Sequence, residues 1–285
     1  LTAISKTFKQ LKKQNEKALI TYIMAGDPSI EATEQLIYAL EEGGADIIEL
    51  GVPFSDPLAD GPVIQRASER ALASKTNLMK VFNLVNRVRE KSSIPIVLMT
   101  YYNIIYNYDE RSFVTDALRA GVDGVIIPDL PPEECKPLIK QSRKEGLDLV
   151  FLLAPTSNDK RISLISAKSR GFIYYVSLKG VTGTRESLSS SVKPMVDKIK
   201  EATSKPVAVG FGISNAKQAA IAGAAADGVV IGSAIVKLIE ENVDSDSMIN
   251  SVRDFVNSIK LGMRHTPASF EEDTRILGDY LSETL

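Results

Sequence analysis

Glu49 lies inside an apolar run, Asp46-Ile47-Ile48-Glu49-Leu50, where a strand favours Ile or Val. An unpaired buried charge is expensive, so a glutamate at this point marks a chemical task. The next stretch, Gly51-Val52-Pro53-Phe54-Ser55-Asp56-Pro57-Leu58-Ala59-Asp60-Gly61-Pro62, is a Pro/Asp/Gly loop with two more carboxylates. Asp56 precedes Pro57 and reads as a turn initiator. Asp60, before Gly61-Pro62, has the same reading when taken alone. Paired with Glu49 it gains a second, because one carboxylate can hold a substrate N–H while the other moves protons. Side chains alternate along a strand, so Ile47 and Glu49 share one face and Ile48 and Leu50 the other. If Glu49 faces inward, burial raises its pKa and suits it to proton transfer near neutral pH. The plainer alternative is a strand-end glutamate paired with a neighbouring cation.

Two glycine-rich turns fall late in the chain. Gly210-Phe211-Gly212-Ile213-Ser214 and Gly232-Ser233-Ala234 each follow an apolar run. Small residues at a strand-to-helix turn let backbone N–H groups approach an anion. Ser177-Leu178-Lys179-Gly180-Val181-Thr182-Gly183-Thr184-Arg185 is a Gly/Ser/Thr-rich loop of the kind that forms lids. Thr182 is placed to reach a catalytic carboxylate when such a lid closes. Lys179 is a Schiff-base candidate, but a flexible polar loop is a poor place to desolvate an amine. The one cysteine, Cys135, excludes an internal disulfide and a multi-Cys zinc site, and reads as a small buried filler. The one histidine, His265, sits in the tail without a motif. Acid-base chemistry therefore falls to Asp, Glu, Lys or Tyr.

These residues need a scaffold that gathers strand ends at one face. Eight apolar runs read as strands: 18–23, 46–50, 95–101, 124–127, 148–153, 171–176, 206–210 and 228–231. Near-continuous apolar strands indicate a parallel sheet buried on both faces. Amphipathic helical segments fall between them at 31–40, 78–88, 113–118, 135–139 and 192–199. The alternation predicts a (β/α)8 TIM barrel over 1–262, with a doubly wound open sheet as the alternative. An extra N-terminal helix near 4–11 is expected to plug the barrel bottom. Gly44-Ala45-Asp46, Gly121-Val122-Asp123, Gly146-Leu147-Asp148 and Ala225-Ala226-Asp227 share one grammar: a helix ends at a small residue, the chain turns at Asp, and a strand begins. The segment 263–285 reads as a C-terminal extension in which Ser269 could cap a short helix.

Composition excludes several classes. The 285 residues are 44% hydrophobic and 25% charged with a net charge of -2, which is ordinary for a soluble globular protein and gives no general attraction to nucleic acid or anionic membrane. No apolar run approaches the roughly 20 residues of a membrane span. The first residues lack a signal-peptide core, and the missing initiator Met leads us to expect a processed chain.

The motif from Glu49 to Pro62, with Gly180-Val181-Thr182-Gly183, Gly210-Phe211-Gly212-Ile213-Ser214, Met99-Thr100-Tyr101-Tyr102-Asn103 and Ile127-Pro128-Asp129-Leu130-Pro131, resembles the tryptophan synthase alpha subunit family over nearly the whole chain to about residue 262. The resemblance implies a carbon–carbon lyase that cleaves indole-3-glycerol phosphate to indole and glyceraldehyde 3-phosphate by a retro-aldol step. It assigns Glu49 as general acid-base and Asp60 as the group that holds the indole N–H. Tyr22, Met99, Tyr101, Ile126, Leu153 and Tyr174 would surround the substrate, with Thr182 pairing with Asp60 on lid closure. Gly183, Phe211, Gly212, Gly232 and Ser233 would hold the phosphate. The family docks on a beta subunit in an alpha2beta2 heterotetramer, through residues 53–60 and 128–131, and passes indole to it. Pyridoxal phosphate belongs to that partner, so no cofactor and no metal are expected on this chain. The implied location is the cytoplasm, or the plastid stroma in a plant or alga.

Overall fold

The computed structural model describes residues 1–177, 185–210 and 212–264, apart from the side chains of 185–191. Nine parallel strands lie among the described residues: β1 (Ala18–Met24), β2 (Ile47–Gly51), β3 (Ile96–Met99), β4 (Gly124–Ile126), β5 (Asp148–Val150), β6 (Leu152–Leu153), β7 (Ile173–Val176), β8 (Val207–Gly210) and β9 (Gly228–Ile231). Their hydrogen-bonded order is β5-β4-β3-β2-β1-β9-β8-β7-β6. Only Phe151 separates β5 from β6. Its N–H donates to the Ser169 hydroxyl at 3.2 Å, which takes it out of the strand ladder. The two pieces are therefore halves of the fifth stave, and the sheet closes as the expected eight-staved barrel.

Twelve helices lie among the described residues: α1 (Ala3–Lys13), α2 (Ile30–Glu42), α3 (Pro62–Ala73), α4 (Leu78–Val88), α5 (Tyr102–Tyr108), α6 (Glu110–Ala120), α7 (Lys136–Glu145), α8 (Asp159–Lys168), α9 (Arg185–Ala202), α10 (Ala216–Ala225), α11 (Ser233–Glu241) and α12 (Met248–Arg264). Local sequence sets their ends. Side-chain oxygens of Thr2, Ser29, Asn77, Asp109, Asn158 and Asn215 accept first-turn N–H groups, which satisfies donors that a helix start leaves open. The last helix continues past Gly262 to Arg264. His265 and the tail helix expected from Ser269 lie outside the described residues.

The barrel is packed on both faces. Leu19, Ile23, Ile48 and Leu50 point outward into the layer shared with the helices. Ile20, Ile47, Val97, Ile126, Val150, Ala208 and Val230 point inward and meet Ile4, Phe8 and Leu11 of α1. The amphipathic face of α1 thus fills the barrel bottom, as its sequence predicts.

The repeated Asp of the strand-start grammar has a structural purpose. Asp46 accepts the Leu19 N–H at 2.7 Å, Asp123 that of Ile96 at 2.9 Å, and Asp227 that of Val207 at 3.0 Å. Each ties the beginning of its strand to the neighbouring stave. Each also has a cation, at 2.7 Å from Lys260, 2.8 Å from Arg89 and 3.1 Å from Lys200 respectively. Asp148 takes the Thr2 hydroxyl at 2.5 Å and Arg170 at 3.3 Å. Cys135 is buried in the outer layer, and burial pushes its thiol up to about 11, so it packs rather than reacts.

Candidate active site

Strand alternation carries Glu49 to the inward side of β2, one step above Ile47, between Tyr22 of β1 and Val97 of β3. Its exposure is 2%, and its Oε2 has no hydrogen-bond partner among the described residues. Burial, with the Asp60 charge second, pushes its carboxyl up to about 8. Asp60 reaches the same region from the loop after β2. Burial raises it to about 6, and hydrogen bonding from the Tyr101 hydroxyl holds it back from going further. The hydroxyls of Tyr22 and Tyr174 stay neutral. Burial lifts both well above their ordinary range, helped by Asp60 and Glu49 around Tyr22 and by Glu49 beside Tyr174. At pH 7 the pair therefore divides into a protonated Glu49 and an ionised Asp60, an acid and an anion side by side.

The loop that brings Asp60 in is pinned at several points. The Phe54 N–H donates to the Ser68 hydroxyl at 2.9 Å, and that hydroxyl donates back to the Phe54 carbonyl at 2.9 Å. The Phe54 ring stacks on Tyr101 with centroids 5.2 Å apart. The Tyr101 hydroxyl accepts the Ala59 N–H at 3.0 Å, and Gln65 donates to the Asp60 carbonyl at 2.9 Å. Glycine makes the surrounding strand ends fit. A Cβ on Gly51 would lie 2.3 Å from the Tyr22 oxygen, and one on Gly210 would lie 2.6 Å from the Tyr174 ring. Both tyrosines therefore cross the mouth over bare backbone.

The late glycine turns differ from one another. The start of α10 is closed by its own Asn215, which accepts the Gln218 N–H at 2.9 Å. At α11 the cap is Gly232, which makes no side-chain cap hydrogen bond. Its first turn starts at the exposed Ser233 without a side-chain cap, and such a helix start is a place where an anion can be held. Gly232 packs under Tyr22, so this helix start borders the carboxylate pair. Among the described residues no cluster of three or more His, Cys, Asp or Glu is arranged to hold a metal ion.

The sequence that builds this barrel mouth matches a known family. The model of the tryptophan synthase alpha chain covers residues 8–263. The chain belongs to the tryptophan synthase alpha chain family. Among its relatives, the alpha chain of Geotalea uraniireducens is 52% identical over 93% of this chain and 98% of its own length. That of Geobacter sulfurreducens is 52% identical over 91% and 98%. The crystal structure of the alpha subunit from Legionella pneumophila superposes with a TM-score of 0.86 at 37% identity, over 93% of this chain and 99% of that one. Membership of this alpha chain family makes the protein a carbon–carbon lyase of tryptophan biosynthesis that acts on indole-3-glycerol phosphate.

The structure brings Glu49, Asp60, Tyr22, Met99, Tyr101 and Tyr174 to one end of the barrel, with Gly212, Gly232 and Ser233 on the turns beside them. Ile126 is inward as well, in register with Met99 and within the cluster that meets α1. Leu153 differs from its expected place. It packs in the outer layer, and the inward neighbour of Tyr174 on this stave is Leu152. A one-residue slip along a strand exchanges its faces. Thr182, Gly183, Phe211 and Lys179 lie outside the described residues. Sequence reasoning missed Ser68 and Phe54 as the loop's anchor. The available signal was a serine on the buried stripe of α3, among Ile64, Ala67 and Ala71.

Proposed function

We propose that Glu49 and Asp60 together drive the retro-aldol cleavage of indole-3-glycerol phosphate. The observation that carries this is the buried Glu49 carboxyl, with its Oε2 unpartnered and the Asp60 charge beside it. Protonated Glu49 delivers its proton to indole C3, which breaks the aromatic pyrrole and makes the ring cationic. Asp60 accepts the indole N–H and stabilises that positive charge. The bond between C3 and the glycerol carbon then breaks. Its electrons restore indole, the glycerol carbon becomes the aldehyde of glyceraldehyde 3-phosphate, and Glu49 as carboxylate takes up the hydroxyl proton. Acid and base are thus one residue, returned to its starting state each turnover.

Tyr22, Met99, Tyr101, Leu152 and Tyr174 enclose the ring in this reading, with Ile126 as its floor. Gly212, Gly232 and Ser233 hold the phosphate, joined by Gly183 and Phe211, and Thr182 pairs with Asp60 as the lid closes. The partner is a tryptophan synthase beta subunit in an alpha2beta2 assembly, which carries pyridoxal phosphate and receives the indole. Leu58 supports this docking face: it is 95% exposed in the middle of the 53–60 loop, whereas most large apolar side chains of the chain are buried. Cytoplasmic chemistry fits a chain in which no described helix is long and apolar enough to cross a membrane.

The test is steady-state cleavage of indole-3-glycerol phosphate, with and without beta subunit. Glu49→Gln keeps the volume of the side chain and removes the proton. We expect its turnover to fall by about 10³-fold or more while the circular dichroism stays native, the general acid-base contribution being of that order. Near wild-type turnover would defeat the assignment.

A further inference from the structure

Asp27, in the loop after β1, is 1% exposed, and it makes no contact with the carboxylate pair that would use it in the chemistry. Both its oxygens are taken by one guanidinium. Arg70 Nε donates to Oδ1 at 2.7 Å and Nη2 to Oδ2 at 2.8 Å. The remaining arm of Arg70, Nη1, donates to Glu240 Oε1 at 2.6 Å. Arg66 grips Glu240 with a second fork, Nε to Oε1 at 2.7 Å and Nη2 to Oε2 at 2.8 Å. Arg70 thus joins its own fork on Asp27 to the Arg66–Glu240 fork through one further hydrogen bond, and each fork fixes angle as well as distance.

The elements so joined are those that carry the two ends of the site. Asp27 closely follows the strand that carries Tyr22. Arg66 and Arg70 stand on α3, which begins at Pro62, next to the loop that holds Asp60. Glu240 lies in the last turn of α11, which begins at Ser233 with the open N–H groups. Between α3 and α11 the apolar contact is made of small surfaces: Ala67 and Ala71 with Ile64 on one side and Val236 on the other, over Tyr22 and Met24. Alanine faces allow close approach but interlock little, so they leave sliding and rotation of one helix on the other weakly fixed. The Arg66–Glu240 fork and the Arg70–Glu240 bond supply that constraint, and the Arg70–Asp27 fork anchors it to the loop after β1.

We propose that Arg70 is a positioning residue for the lyase reaction, setting the separation between the Glu49–Asp60 pair and the phosphate-binding start of α11 by clamping Asp27 and Glu240. This rests on the reading of the site given above, in which the ring lies at the carboxylates and the phosphate at Gly232 and Ser233. A substrate that must touch both ends at once is sensitive to their spacing. A fragment that touches one end is sensitive only to that end.

The experiment uses the whole protein with three variants. Arg70→Lys keeps the charge but loses the fork. Glu240→Gln removes the anion on α11 at a partly exposed site and leaves the buried Arg70–Asp27 pair intact, so it serves where Arg70→Lys folds poorly. Lys237→Ala, on the exposed side of the same helix, is the control. Each is assayed for KM and kcat with indole-3-glycerol phosphate, and for binding of glycerol 3-phosphate and of indole separately. We expect KM to rise about 5- to 20-fold and glycerol 3-phosphate binding to weaken in parallel in both clamp variants. Indole binding stays within twofold, kcat falls less than KM rises, and the control is unchanged. Unaltered glycerol 3-phosphate binding in a folded Glu240→Gln protein would overturn the proposal. So would an equal loss for both fragments, the mark of a merely structural role. Wild-type protein that binds glycerol 3-phosphate yet cleaves no substrate would overturn the catalytic assignment instead.

Discussion

The two ends of this barrel treat the same side chain in opposite ways. At the base, Asp46, Asp123, Asp148 and Asp227 are all paired with a cation, and three of them also hold a backbone N–H of the next stave. At the mouth, Glu49 is buried with an unpartnered oxygen, and Asp60 sits near it without a cation among the described residues. The base spends its carboxylates on holding strands in register. The mouth keeps them buried without a cation, which costs stability and raises their pKa toward the range where protons can be moved. Barrels generally divide in this way, with stability at the bottom and chemistry at the top. Here the division is visible in which carboxylates have a cation.

Substitutions at the two ends should separate activity from stability. The largest effect is expected at the mouth. Asp60→Asn removes the anion that stabilises the ring cation, and kcat/KM for indole-3-glycerol phosphate should fall by roughly 10²- to 10³-fold with little change in melting temperature. At the base the pattern reverses. Asp46→Ala leaves the largely buried Lys260 with only the more distant Glu16, at 3.6 Å, and frees the Leu19 N–H. Breaking such a pair costs about 3–5 kcal/mol, read as a lower denaturation midpoint, while kcat of the folded enzyme is unchanged. A base substitution that lost activity without losing stability would break the comparison.

Smaller effects sharpen it. Glu49 has a folded pKa of about 8 against 4.5 when unfolded. Between these values the folded protein binds the extra proton, so Glu49 contributes its stability in full below about pH 4.5 and loses it as pH rises through about 8. Stability curves of wild type and Glu49→Gln should therefore diverge over that window, with the variant the more stable at pH 8.5 by a few kcal/mol. The smallest effect belongs to the fully solvated pairs. Lys193 and Asp197 form an exposed i,i+4 bridge on α9, and Lys193→Ala should shift stability by less than about 0.5 kcal/mol.

Much of this arrangement is legible in the sequence, for identifiable reasons. Strands such as Gly228–Ile231 are pure apolar runs bounded by small residues, and their ends fall where the pattern places them. Glu49 stands out because it violates its own strand. The Asp grammar at the strand starts is also readable, although its purpose needs the neighbouring stave. Other parts leave no local trace. Helix α10 reads Ala-Lys-Gln-Ala-Ala-Ile-Ala-Gly-Ala-Ala and is apolar nearly all round, so it shows no amphipathic stripe. Helix α3 starts within the proline-rich loop and hides behind it. The break at Phe151, which puts Leu152 rather than Leu153 inward, depends on a serine eighteen residues away. The clamp of Asp27, Arg70 and Glu240 spans most of the chain and has no motif at all.

The central claim is that burial without a partner makes Glu49 the proton carrier at neutral pH. Its most direct test is the titration of the Glu49 carboxyl in the folded enzyme, followed by NMR of carboxyl-labelled glutamate and assigned by the resonance that Glu49→Gln removes. The account predicts a midpoint near 8. A Glu49 resonance that titrates near 4.5 would contradict it.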